Sequence, residues 1–280
     1  VSWRIRVEHR TDYQYAGEVR SSYNEARISP LTTIDQLVLE ATVEVTPTAK
    51  VFRYLDYWGS VVHAFDVSRP HHEMTVVGRS IVETSPPVVP DKTIAWAAVA
   101  QPDLEDDYAE FLAPTTMVPQ DETLREVARE LRGGVEPGAA GARIVEWVRS
   151  QLDYVPGATM VSTSALEAWA GGRGVCQDFA HLTLAVARSM GIPARYCSGY
   201  LHPDAEAGIG VTIEGESHAW VELWTGEWQG FDPTSGDPIG EGHVLVARGR
   251  DYSDVSPIKG VLNGAPTSTL DVTVNLTRLA

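Results

Sequence analysis

"GGRGVCQDFAHLTLAVARSMGIPARYCSGYL", residues 171–201, passes from turn to helix to strand. Gly171, Gly172 and Gly174 make the turn. Cys176 opens a segment with Phe179, Leu182, Val186 and Met190 at helical spacing, and Gly191 with Pro193 beyond it stops the helix. "ARYCSGYL" follows as a strand. A cysteine at the head of a helix that feeds a sheet sets the question for the rest of the chain.

Working outward, further strands are expected at "HAWVELW", "EWQGFDP", "HVLVARG" and "TLDVTVNLT". Upstream lie helices. Leu124, Val127, Ala128 and Leu131 share a face, with Asp121 as N-cap and Gly133-Gly134 as the stop. Ile144, Trp147 and Val148 mark a second helix, and Ser164 with Glu167 forms a capping box for a third. Helices followed by antiparallel strands give an α+β order.

Residues 1–86 read differently. Trp3, Ile5 and Val7 alternate with Arg4, Arg6 and Glu8, and Leu37 to Val45 alternate likewise. "VFRYLDYWGSVVHAFDV" predicts a hairpin turning at Trp58-Gly59-Ser60, and "EMTVVGRSIVET" a further strand. The expected organisation is an antiparallel β-sandwich over 1–86, a Pro-rich linker at "SPPVVP" (85–90), and a second domain over 87–280 in which the cysteine-headed helix packs on an antiparallel sheet.

The chain has 280 residues, 43% hydrophobic and 21% charged, with a net charge of −16. That charge repels phosphate backbones and argues against nucleic acid and anionic membrane as partners. No apolar run reaches the roughly 18 residues of a spanning helix; "TIAWAAVA" is the longest. "VSWRIRVEHR" alternates like a strand and lacks the continuous apolar stretch of a signal peptide, although without an initiator Met an upstream segment could have been removed. Two cysteines make no disulfide framework, so a reducing cytoplasm is expected.

A lone cysteine is ordinarily a small buried hydrophobe, and Cys197, mid-strand, fits that reading. Cys176 fits another. Free N–H groups and the helix dipole at a helix N-terminus stabilise a thiolate and can receive an oxyanion.

The partner base is sought among the histidines. If Trp224 pairs with Trp228 across "TGE" (225–227), pair numbers sum to 452, so Trp220 faces Asp232 and His218 lies diagonal to it. A loop two residues longer makes the sum 450 and sets His218 opposite Asp232. Either register puts both on one face; a one-residue slip separates them unless a bulge intervenes. Cys176, His218 and Asp232 then supply nucleophile, base and orienter.

These segments, "GRGVCQDFAH", "GIPARYCSGYL", "SHAWVELW" and "GFDPTSG", resemble the transglutaminase-like superfamily, a papain-like group with a Cys-His-Asp triad. "VEHRTDYQYAGEVRSSYNEARISPL" and "GRDYSDVSPIKGV" are similar to the bacterial branch with an N-terminal β domain. The resemblance carries nucleophile, base and acid onto Cys176, His218 and Asp232. It also implies an oxyanion-assisting aromatic, for which Tyr154 is the candidate, and cleft-lining roles for Asp251, Tyr252 and Asp254. Gln177 is a second oxyanion candidate through its side chain. Asp178 suits the first helical turn but opposes a thiolate unless it is paired or turned away.

No cofactor and no metal are expected. "DLEDDYAEF" lacks the Gly and spaced oxygens of a calcium loop and reads as a solvated acidic loop; adjacent His71 and His72 point apart. The glycines at 171, 172 and 174 lack the Lys-Ser/Thr of a phosphate loop. The expected activity is a cysteine peptidase or amidase acting on a peptide or protein substrate through a thioester. The alternatives are a transglutaminase, whose water-excluding walls would be sought in Trp220, Trp224 and Trp228, and a non-catalytic protein-binding module. The oligomeric state is left open.

Overall fold

The computed structural model describes residues 2–86, 94–204, 206–264 and 267–280. Most of the "SPPVVP" linker lies outside the described residues.

The N-terminal region contains β1 (Trp3–Val19), β2 (Ser21–Ala26), β3 (Gln36–Thr46), β4 (Val51–Leu55), β5 (Val61–Val67) and β6 (His71–Thr84). Period-two burial builds it: in β1, Ile5, Val7, His9 and Thr11 are buried while Arg4, Arg6 and Arg10 are exposed. The β4–β5 hairpin turns where expected, with Gly59 at φ 79° and Asp56 N–H bonded to Ser60 O. At the start of β6, His71 is buried and His72 exposed, so the two rings do point apart.

Helices α1 (Trp96–Val99), α2 (Pro102–Asp107) and α3 (Ala109–Leu112) come next. The acidic stretch expected as a solvated loop is therefore helical. Pro102 at the first helical position and acids in the first turn favour that. Tyr108 and Phe111 pack their rings against Trp228, at 5.7 and 5.4 Å between centroids. Then follow α4 (Glu122–Arg132), α5 (Pro137–Gln151), β7 (Asp153–Tyr154), α6 (Ala165–Gly171), β8 (Arg173–Gly174) and α7 (Cys176–Ser189). Asp121 caps α4 and Ser164 with Glu167 boxes α6, as the sequence indicates. Every residue of α7 from Gln177 to Arg188 is buried, so it is a central helix rather than a surface one with a single apolar stripe.

The remaining elements are β9 (Ala194–Leu201), β10 (Thr212–Gly215), β11 (Ser217–Trp224), β12 (Trp228–Phe231), β13 (His243–Gly249), α8 (Tyr252–Val255), β14 (Ile258–Asn263) and β15 (Ser268–Arg278). The sheet behind α7 has the order β12-β11-β9-β13, all antiparallel. The two sandwich sheets run β10-β15-β1-β6-β3 and β14-β2-β5-β4. The sheets do not follow a linear division at residue 86: β15 pairs with β1 from Ile5↔Arg278 to Tyr15↔Ser268, and β14 pairs with β2. A division of the chain into 1–86 and 87–280 leaves both sandwich sheets without strands that complete them.

One core joins the five-stranded sheet to the helical part. Ile5, Val7, Val274 and Leu276 share a cluster with Leu184, Val221 and Val244. A polar bridge crosses the same junction. Tyr200 donates its hydroxyl proton to Ile28 O and accepts from His9 Nδ1 at 2.9 Å, while Thr11 Oγ1 meets His9 Nε2 at 3.1 Å.

Candidate active site

Cys176 begins α7 after Val175, the N-cap. The N–H groups of Asp178 and Phe179 return to Val175 O; those of Cys176 and Gln177 have no acceptor among the described residues. Gly172 (φ 64°) ends α6 in the left-handed conformation. Gly174 is required by a close approach of the chain to itself. A Cβ there would stand 2.6 Å from Asp178 Cβ, because Asp178 folds back beneath the turn.

That fold settles the electrostatic question at Asp178. Its Oδ2 accepts from Val175 N–H at 2.8 Å and from Thr159 Oγ1 at 2.6 Å, and the side chain is fully buried. Burial pushes its carboxyl pKa up, against those two hydrogen bonds. The acid serves as a helix cap and anchors the segment leading to α6.

His218 enters from the start of β11. The observed register is Trp224↔Trp228 through Val221↔Phe231, the 452 sum, which sets His218 diagonal to Asp232 just past β12. His218 Nε2 lies 2.8 Å from Asp232 Oδ2. Asp232 has no side-chain exposure. Its Oδ1 accepts from Thr234 N–H at 2.9 Å, and Oδ2 also accepts from Ser235 Oγ at 3.0 Å. Burial alone would raise the Asp232 carboxyl, but His218, His243 and the Thr234 N–H together hold it far below the carboxylate range. For His218 burial favours the neutral ring; hydrogen bonds to Asp232 and to Cys176 outweigh it and push the imidazole up to about 9. Thus the sulfur and the carboxylate both favour the protonated form of the ring.

His243, at the start of β13, was not singled out by sequence. Its Nε2 lies 3.6 Å from Asp232 Oδ2, and its ring 6.1 Å from that of His218. The approach depends on how the Gly/Pro-rich return after Asp232 folds, and nothing short-range in "HVLVARG" signals it. His218, Asp232 and His243 are the group, among the described residues, whose ligand-type atoms lie within 4.8 Å of one another. The 2.8 Å between His218 and Asp232 is shorter than the roughly 3.3 Å between ligands of a tetrahedral ion with bonds near 2.0 Å. It is a hydrogen-bond distance.

The other candidates divide. Tyr154 is 46% exposed, faces Phe179 at 6.3 Å, and has its hydroxyl pKa raised by burial and by the charges of Cys176 and Glu216. It stands by the sulfur as a neutral phenol. Gln177 turns elsewhere, donating from Nε2 to Val161 O at 3.3 Å. Asp251 is buried as the N-cap of α8, accepting from Ser253 N–H at 2.7 Å, and Asp254 pairs with Arg250. Neither lines an open cleft. Tyr252 is partly buried against the main core, close enough to Cys176 for their charges to interact. Trp220 is buried with its ring 6.3 Å from His218. Trp224 and Trp228 are not walls of this site: Trp224 is six residues along β11 from His218, about 20 Å. Trp224 and Trp228 pack instead with Tyr108. Cys197 is fully buried, and burial pushes its thiol far up, as an inert core residue requires.

Residues 125–233 match the transglutaminase-like superfamily and residues 5–83 the bacterial transglutaminase-like N-terminal region. An uncharacterized protein of Mycobacterium leprae is 46% identical over 99% of this chain and 100% of its own. An uncharacterized protein of Mycobacterium tuberculosis is 31% identical over 98% of this chain and 92% of its own. The chain belongs to the transglutaminase-like superfamily. Among solved structures, a candidate cysteine protease from Cytophaga hutchinsonii superposes with a TM-score of 0.76 at 22% identity, over 99% of this chain and 98% of that one. At that identity the likeness is one of fold.

Proposed function

We propose that the protein is a thiol hydrolase of amide or peptide bonds, working through a Cys176 thioester. The observation that carries this reading is the single file of Cys176, His218 and Asp232, with the carboxylate buried and the ring raised to about 9. His218 takes the proton of the Cys176 thiol, giving a thiolate–imidazolium pair. The thiolate attacks the carbonyl carbon, and the N–H groups of Cys176 and Gln177 receive the oxyanion, with Tyr154 as a further donor. His218 gives its proton to the leaving amine as the C–N bond breaks, leaving a thioester and a neutral ring. That ring then takes a proton from water, whose oxygen attacks the thioester; the carboxylic acid leaves and the thiolate–imidazolium pair returns.

Water is favoured over an amine as the acceptor by the positions of Trp224 and Trp228, which pack far from the sulfur, and by the exposure of Tyr154 near it. A cytoplasmic location belongs to the same proposal; no helix among the described residues is long and apolar enough to cross a membrane.

The test is iodoacetamide labelling of Cys176 against pH in the parent and in His218→Ala. Rapid labelling well below pH 8 that the variant loses supports the enzyme. An ordinary thiol profile in both would leave a binding module on the same fold. Incubation with a glutamine peptide and a labelled primary amine then separates hydrolysis from transfer.

A further inference from the structure

His243 has one ring nitrogen committed and one left over. Gly240 N–H donates to His243 Nδ1 at 3.2 Å. A nitrogen that accepts an N–H carries no proton, so in the neutral ring the proton sits on Nε2. That Nε2–H is buried, with side-chain exposure of 8%, and has no hydrogen-bond acceptor within reach. The oxygen before it is Asp232 Oδ2, at 3.6 Å. A buried, unbonded N–H is costly unless a nearby charge rewards its orientation, and the Asp232 carboxylate is that charge. Trp220, edge-on to the imidazole at 5.4 Å, keeps the ring in place.

We propose that His243 is a positioning residue for the triad: its Nε2–H faces the Asp232 carboxylate beside His218, takes a share of that carboxylate's field, and so tempers the hold of Asp232 on the base. The inference rests on the catalytic reading of Cys176, His218 and Asp232.

The carboxylate does not need His243 for anchorage. Thr234 N–H and the Ser235 hydroxyl already fix both oxygens. Removing the His243 N–H therefore leaves Asp232 where it is and turns more of its charge toward His218. The charged or titratable groups facing His218 are Cys176 from α7, Asp232 from the end of β12 and His243 from β13. Only the last is altered. His243 lines a cavity of about 310 Å³ that also touches Asp35, Glu222 and Arg248 but not Cys176 or His218. A side chain can thus be changed there without entering the cleft.

The test is an NMR titration of the His218 ring in the parent, in His243→Leu and in His243→Gln. The glutamine Nε2 restores an N–H at a similar reach. The Leu variant is expected to titrate higher than the parent by about half a pH unit, and the Gln variant to return to the parent value. A Leu variant titrating at or below the parent overturns the inference while leaving the triad intact. A parent ring titrating at the ordinary imidazole value of about 6.5 removes the triad reading, and this inference with it. If the Leu variant does not fold, the Gln variant is read against His243→Asn, whose shorter amide does not reach the carboxylate and which is expected to titrate high.

Discussion

His218 Nε2 and Asp232 Oδ2 are 2.8 Å apart, and the carboxylate has no access to water. The anion cannot be screened by solvent, so its charge acts mainly on the ring. Asp232→Asn removes that charge while keeping the shape. Burial, the leading influence on His218, then drives the ring toward neutrality with only Cys176 opposing it. The titration near 9 is expected to fall by more than one pH unit, and turnover of an amide substrate by about 10²–10⁴-fold. NMR and steady-state rates measure the two.

Part of this pair was legible in the sequence because a hairpin has few registers. Trp224 opposite Trp228 fixes every later pair, so the common face of His218 and Asp232 follows from counting. Period and capping residues likewise announced α4, α6 and α7. Three features were not legible. The acidic helices between Pro102 and Leu112 owe their place to Tyr108 and Phe111 packing against a distant hairpin, which no local pattern reports. The return of β14 and β15 to the first sheets is a pairing across nearly the whole chain. His243 reaches Asp232 through the path of a Gly/Pro loop.

Asp178 joins a helix cap to a loop, so its loss should act on both. Asp178→Ala frees Val175 N–H and the Thr159 hydroxyl together. Expected is a loss of about 1–2 kcal/mol, seen in denaturant unfolding, with faster proteolysis within 155–163. Gln177→Ala frees Val161 O from the same segment and should accelerate that cleavage as well, with the thiolate chemistry altered less than fivefold, about 1 kcal/mol or less. A large chemical loss in Gln177→Ala would return its amide to the oxyanion.

His9 sets an acid limit. It is buried and neutral between Tyr200 and Thr11, and burial lowers its pKa to about 4. The unfolded ring titrates near 6.5. Above that pH neither state binds the proton and the contribution of His9 is whole; as pH falls from about 6.5 to 4 the unfolded state takes up a proton that the folded state refuses. Stability should fall there by up to about 1.4 kcal/mol per pH unit from this residue. His9→Gln retains a side-chain donor but cannot titrate, so its unfolding free energy should show a slope shallower by about one proton. Equal slopes in parent and variant would show that His9 does not carry the acid lability.

The tail of the chain should matter to the core of its middle. Leu276 is fully buried on β15, opposite Val7 on β1, in the cluster that also holds Leu184 of α7 and Val244 of β13. It is far in sequence from everything it packs with, apart from its own strand. Leu276→Ala removes contacts on two sheets and a helix at once, and the surrounding backbone, hydrogen-bonded on both sides of β15 through β1 and β10, has little freedom to close the gap. A cost of about 2–5 kcal/mol is expected, read as a lowered denaturant midpoint with an unchanged m-value. Below that midpoint the pH profile of Cys176 labelling should match the parent, since no triad atom has moved. A cost under 1 kcal/mol would mean that β15 merely covers the sheet edge, and that the helical part is stable without the strand that closes the chain onto its beginning.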